Sequence, residues 1–464
     1  MPGGEHLSTP NGKAFALASV PWASVKRGEE ERSRALVAAA LLALAAVLLT
    51  LLSVRDPVLA LSTLVALVLL GLCVLRVEAA LLLLVASAPL ETAFSLGGSS
   101  ALTVTKVAGV VAFGSLLLHL LAGRRKLHLD KTHAVAAGML AIALVSTLQA
   151  RDSGIALETT IRYASFVAVY LLVTQFLGES GVHRAVVWVL SASSALAGAF
   201  ALQRYLAGES SLATLPNTDP NDFAFILATT LPLTFWLLGS RVVLRPVVLL
   251  MIGVIAAGVL LSFSRGALVG LAAGFAWEIM TRRRRLPALV AGTVVAALAV
   301  LIVIRADPGR FETGLELKEH VAQYNIDSRL DAWRGAATLA SENPVLGVGP
   351  GNFRVHFYEA TGNPPGTHKL NVVHNAYLDV AAEVGVVAAV LFVLYLGMVF
   401  LRCSEAARHG RGLPGLAPAV QSSLVIAAVS ALFLSEQYYA PFWLLGGLAT
   451  VLWAGGRGPD AGRA

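Results

Sequence analysis

Runs of mostly apolar residues, each long enough to cross about 30 Å of hydrocarbon, recur along almost the whole chain. About fourteen can be marked, at 35–54, 57–75, 77–94, 101–122, 133–150, 155–178, 182–206, 221–239, 245–262, 265–280, 286–304, 374–401, 415–434 and 438–455. Only Arg55 and Asp56 part the first two, which predicts a tight helical hairpin. The pattern predicts an all-α, polytopic membrane bundle of about 12–14 transmembrane helices. Its plan is a tail over 1–34, eleven helices over 35–304, a polar loop over 305–373, C-terminal helices over 374–455 and a tail over 456–464. Inside the loop, DSRLDAWRGAATLASENP repeats apolar residues at helical spacing, with Asp327 or Ser328 to cap a helix and Pro344 to end it.

Composition agrees with the periodicity. Hydrophobic residues make up 56% of the chain and charged residues 14%, against about 25% charged in soluble domains. Mean hydropathy is +0.73. The net charge of +7 is explained by retained cytoplasmic loops, so no nucleic-acid partner is expected. The two cysteines, Cys73 in an apolar run and Cys403 in a basic loop, offer neither a disulfide framework nor a zinc cluster. The mixed charge of the first 34 residues does not fit a cleaved signal peptide and reads as a cytoplasmic tail.

Basic loops set the orientation. With the N-terminus inside, GRRKLHLDK (123–131), TRRRR (281–285) and RCSEAARHGR (402–411) all fall on the cytoplasmic side. The loop from Arg305 to Val373 then lies outside. Its seven Lys/Arg against eight Asp/Glu suit a folded extracytoplasmic cap.

That threading gives four polar side chains one depth near the outer face: Arg162, Arg204, Arg265 in SFSRG, and His374 at the mouth of the twelfth span. Each also has a plainer reading. Arg162 can pair with Glu158 one turn earlier, Arg204 can anchor at the interface, Arg265 can be a helix-end charge, and His374 a hydrogen-bonded interface residue. Asn375, Asp379 and Glu383 form a stripe at i+4 spacing, which functions or pairs with arginines for folding. The glycines of LGVGPGNF have neither the preceding strand nor the Lys-Ser/Thr of a nucleotide loop, and read as a turn back to the membrane. PNTDPNDF (216–223) lacks calcium-loop spacing and reads as a helix-capping turn. No metal-spaced histidines or D-x-D pair appear, so chemistry without metal or cofactor is expected.

His374 and Asn375, followed by nine residues and then Gly385, resemble the signature of the bacterial O-antigen ligase and O-antigen polymerase superfamily. SRGALVG (264–270), the PNTDPNDF turn and RLDAWRGA…NPVLGVGPGNF are similar to its other recurring features, so the resemblance covers roughly 155–400. It implies an integral-membrane GT-C type glycosyltransferase in the bacterial inner membrane. The donor is a glycan on undecaprenyl pyrophosphate, and the acceptor is a sugar hydroxyl of lipid A-core or of another lipid-linked glycan, with the active site facing the periplasm and the anomeric centre inverted. The resemblance gives His374 the role of base and Arg265 that of pyrophosphate ligand. Arg162 and Arg204 are supporting ligands, Arg329 and Arg334 reach down from the loop, and Asn375 joins the substrate-binding set. A related exopolysaccharide polymerase or protein O-glycosyltransferase fits the same residues. The alternative outside enzymology is a transporter, a flippase for lipid-linked oligosaccharide. That reading expects ionisable residues near the midplane and repeated halves, whereas here they crowd one face.

Overall fold

The computed structural model describes residues 57–91, 104–239, 242–281, 294, 297–298, 300–362, 372–435, 437 and 439–455. The expected span at 35–54, and most of that at 286–304, lie outside them. Fifteen α-helices and no strand run through the described residues. The chain divides into two compact units, Met1–Gly71 and Leu72–Ala464. The described part of the first is apolar and begins helix α1 (Pro57–Leu75).

The second unit is a helical membrane bundle. Its helices are α2 (Val77–Ser87), α3 (Val104–Leu121), α4 (Lys131–Thr147), α5 (Ser153–Thr174), α6 (Ser180–Ala207), α7 (Pro220–Trp236), α8 (Arg245–Leu261) and α9 (Arg265–Thr281), then α10 (Pro308–Glu342), α11 (Phe353–Thr361), α12 (Ala376–Glu383), α13 (Val386–Arg408), α14 (Leu416–Ser430) and α15 (Ala440–Ala454). Five stretches are long and apolar enough to cross a membrane: α3, α5, α6, Pro220–Gly239 and α13. Among the shorter apolar helices are α4, α8, α14 and α15. Helix α14 is the hub. It packs on α7, α9, α13 and α15 and is buried along most of its length.

The loops sort onto two ends. At one end, Asn352 exchanges hydrogen bonds with Asp152, Ala213 N–H donates to the Leu261 carbonyl, and Arg310 donates to the Tyr205 carbonyl. At the other, Arg125 joins Glu78 and Glu179, Trp236 donates to the Pro414 carbonyl, and Arg411 donates to the Trp453 carbonyl. The basic stretches 123–131 and 402–411 share this second end, as the threading requires.

Three expectations need correction. The span expected at 374–401 is two helices, because Gly385 turns the chain with φ 103° and Val386 N–H donates to the Pro344 carbonyl. The loop helix α10 starts at Pro308, capped by Asp307, far before Asp327. The third span ends as an α-helix at Ser87 and closes with a 3₁₀ turn over Ala88–Leu90, since Pro89 cannot donate to a helical bond.

At the second end a buried charge must be matched. Arg402, 8% exposed, reaches Asp130 at 2.9 Å and Thr450 Oγ1 at 2.7 Å, with its guanidinium 4.6 Å from the Trp453 ring. Arg402→Leu leaves Asp130 only its α4 cap and His133 and should cost about 1–3 kcal/mol, read as a lower thermal midpoint in detergent. Adding Asp130→Asn should restore part of that loss.

Candidate functional site

Among the described residues three non-glycine positions have left-handed backbone: Asn217 (φ 55°), Phe263 (φ 53°) and His374 (φ 54°). Such conformations persist only where surroundings impose them. All three belong to the end of the bundle under α10, and each lies at or two residues before a charged or titratable group: Asp219, Arg265 and His374 itself.

The surroundings can be named. Before His374, the Val373 carbonyl accepts from Trp333 Nε1 at 3.0 Å; the His374 N–H donates to Ser435 Oγ at 3.1 Å; Ala376 N–H donates to the Ala431 carbonyl at 2.9 Å. Asn375 caps α12, accepting from Tyr377 and Leu378 N–H at 3.1 Å each. Arg265 opens α9 from a turn whose Ser264 N–H donates to Ser262 Oγ at 3.2 Å, while Phe263 packs on Phe311 of α10. Asp219 caps α7 through Asn221 N–H at 2.7 Å.

Electrostatics tie these arms together. Burial first, then the positive charge of Arg329, pushes the His374 imidazole down to about 4, with Asp219 acting in the opposite sense. Arg329 is itself lowered, by burial and by Arg265, while Asp219 favours its charged form. His374, Arg329, Arg265 and Asp219 therefore occupy one electrostatic neighbourhood, in which His374 is neutral near pH 7. Arg265 and Asp219 are exposed, so the cluster opens to solvent.

Below it the glycine-rich stretch performs a task internal to the fold. Gly347, Gly349 and Gly351 all have positive φ, which a side chain would strain, and their loop wraps the end of α12. Gly351 N–H donates to Glu383 Oε2 at 2.7 Å and Phe353 N–H to Glu383 Oε1 at 3.1 Å; Val348 and Gly349 N–H reach the carbonyls of Ala382 and Glu383. The loop thus cradles the protein's own carboxyl group. A small core of Ala332, Ala336, Leu339, Val348, Phe353 and Phe357 fastens α10 and α11 over it.

Residues 247–393 match the family model described as O-antigen ligase. No curated protein matches the chain. The O-antigen ligase match takes in Arg265, Arg329, His374 and the glycine loop, and leaves the PNTDPNDF turn outside.

The other residues singled out from sequence fall elsewhere. Arg204 holds Glu209 at 3.1 Å and the Thr214 carbonyl at 3.2 Å, bracing the loop that leads to Asp219. Arg162 lies 3.9 Å from Glu158 and near Glu91 and Lys106, toward α3. Arg334 is 78% exposed and pairs with Asp331 of its own helix. Positions 329 and 334 differ by about 140° around a helix, so the two arginines cannot face one cleft. Asp219 was passed over because a capping role accounted for it; a capping aspartate whose turn also needs left-handed backbone was the available signal.

The pair Asp379 and Glu383 generates a pH dependence. Burial raises Asp379 to about 6 despite Ser435, Gln437 and Arg354 beside it; burial and the Asp379 charge raise Glu383 well above the usual carboxylate range. The folded state therefore holds protons that the unfolded chain releases near pH 4. Their stabilisation is complete below about pH 4 and is lost as pH climbs through 6 and beyond. The thermal midpoint should fall between roughly pH 5 and 8. In Asp379→Asn, which removes the like charge, the fall should be smaller.

Proposed function

We propose that the protein transfers a glycan from undecaprenyl pyrophosphate to a sugar hydroxyl of lipid A-core or of a second lipid-linked glycan, at the periplasmic face of the inner membrane. The similarity of residues 247–393 to the O-antigen ligase family supports a membrane glycosyltransferase. The observation that carries the reading further is the convergence of a neutral histidine with two arginines on strained, over-determined backbone at one end of the bundle.

The reaction breaks the bond between the anomeric carbon and the pyrophosphate oxygen and forms one from the acceptor oxygen to that carbon. The electron pair of the broken bond stays on the pyrophosphate, whose growing charge Arg265 and Arg329 are suited to receive without a metal. The acceptor proton goes to His374, and direct displacement inverts the centre. Asp219, on the His374 side of the cluster, favours the imidazolium that results. A base lowered to about 4 is weak in the empty site. A bound pyrophosphate offsets the Arg329 charge and raises the proton affinity of His374, so the base strengthens when its substrate arrives. Arg204 and Asn375 serve this centre as supports of its loop and helix. Basic loops at the opposite end favour a periplasmic site.

The test is formation of glycosylated acceptor from purified lipid-linked donor. His374→Ala should bind donor yet lose about 10²–10⁴-fold in transfer. Arg265→Lys should recover little of the loss in Arg265→Ala, because a point charge does not reproduce the fork. Near-normal turnover by His374→Ala, or loss of activity with chelator, would contradict the mechanism. Arg334→Ala should stay near wild type.

A further inference from the structure

One short connection touches three arms of the His374 cluster. It is the turn between α14 and α15, seen in residues 431–435, 437 and 439, and it falls outside the segment 247–393 of the O-antigen ligase match.

Its contacts take the arms in turn. On the α12 arm the Ala431 carbonyl accepts from Ala376 N–H at 2.9 Å, and Ser435 Oγ accepts from His374 N–H at 3.1 Å. The second bond is made by the residue of that arm with left-handed backbone, His374 itself. On the α7 arm the Tyr439 hydroxyl donates to Asp222 Oδ2 at 2.6 Å, a strong bond for a phenol and a carboxyl group. Asp222 stands in the first turn of α7, the helix that Asp219 caps. On the α9 arm Phe433 and Leu434 press on Gly266, the residue after Arg265, where a Cβ would come within 3.1 Å of Phe433 Cβ.

The turn is itself held. Ala431, Leu434 and Gln437 are buried, and Trp443 Nε1 of α15 donates to the Gln437 carbonyl at 3.1 Å. A held piece that bonds two arms and packs on the third fixes their separation, and a misplacement of about 1 Å at such a centre can cost 10²-fold in rate.

We propose that this turn is the positioning frame of the site, with Ser435 holding His374 and Tyr439 holding the Asp219 arm. The proposal rests on the glycan-transfer reading for the reaction the frame serves. Both are positioning residues, each acting through another. Ser435 keeps the His374 imidazole buried beside Arg329, and Tyr439 keeps Asp219 where its charge favours the imidazolium. Loss of the two hydroxyls therefore has opposite effects on His374. Without Ser435 Oγ the left-handed backbone relaxes, the ring leaves Arg329 and its proton affinity rises. Without the Tyr439 hydroxyl the Asp219 arm withdraws and the proton affinity falls. A general loosening of the fold moves both variants one way, toward the ordinary histidine value.

The experiment is an NMR titration of ring-labelled histidine in the purified full chain, with the His374 signal assigned by its loss in His374→Ala. The wild-type midpoint should lie near 4. Ser435→Ala should raise it by on the order of one unit, Ser435→Thr, which keeps a hydroxyl, should stay with wild type, and Tyr439→Phe should lower it by about half a unit. Asp222→Ala breaks the same bond from α7 and stands in if Tyr439→Phe does not fold. In the transfer assay Ser435→Ala and Tyr439→Phe should each lose about 10–100-fold in kcat with donor KM little changed, since Arg265 and Arg329 remain. An unmoved midpoint in either variant, or shifts of one sign in both, overturns the proposal. Opposite shifts in a protein that transfers no glycan keep the frame and remove the glycosyltransferase reading; transfer with unmoved midpoints removes the frame alone.

Discussion

Two backbone N–H groups grip the Glu383 carboxyl group, and the rest of the His374 end depends on that grip. The grip turns a glycine-rich stretch into a clamp that ends α12, and it brings Pro344 to where Val386 N–H can bond its carbonyl as the chain turns at Gly385. Helix α12 is thereby freed from α13 and lies under α10 instead of continuing through the membrane. Its first turn can then present His374 beside Arg329. A buried carboxyl without partners costs several kcal/mol, so the loop and the helix end are stable only together.

The same economy governs the charges above the clamp. Arg329 and Arg265 repel each other, and Arg329 disfavours a protonated His374. Like charges held together in this way favour an anionic ligand. The backbone strain at Asn217, Phe263 and His374 has the same direction, since packing elsewhere holds each arm at the position the ligand needs. In the proposed mechanism donor binding relieves the repulsion and strengthens the base, which couples the two substrates without movement of a domain.

Much of this was legible in the sequence, and the parts that were not share a cause. Hydropathy located the spans because crossing hydrocarbon is a matter of composition and length. It joined α12 to α13 because both are apolar and nothing in composition reports the φ of Gly385. It started the loop helix at Asp327 because residues 308–326 are too polar for an apolar stripe to stand out, although Asp307 and Pro308 form a capped start. His374, Arg265 and Arg329, singled out through motif and depth, share one electrostatic neighbourhood. Depth alone also gathered Arg162 with them, because residues at one level can lie on different sides of a bundle. The stripe of Asp379 and Glu383 was visible, but its partner was expected to be arginine. Glu383 is met by backbone N–H groups, which no side-chain pattern announces, and Asp379 by the side chains of Ser435 and Gln437.

The central claim is that His374 is neutral in the empty site and gains proton affinity when the donor charge arrives. The pH dependence of transfer tests it, since kcat/KM reports the free enzyme and kcat the donor complex. The acid limb of kcat/KM should lie near pH 4, the value set by burial and Arg329, and the limb of kcat should lie higher. Two coincident limbs at the ordinary histidine value of about 6.5 would contradict it.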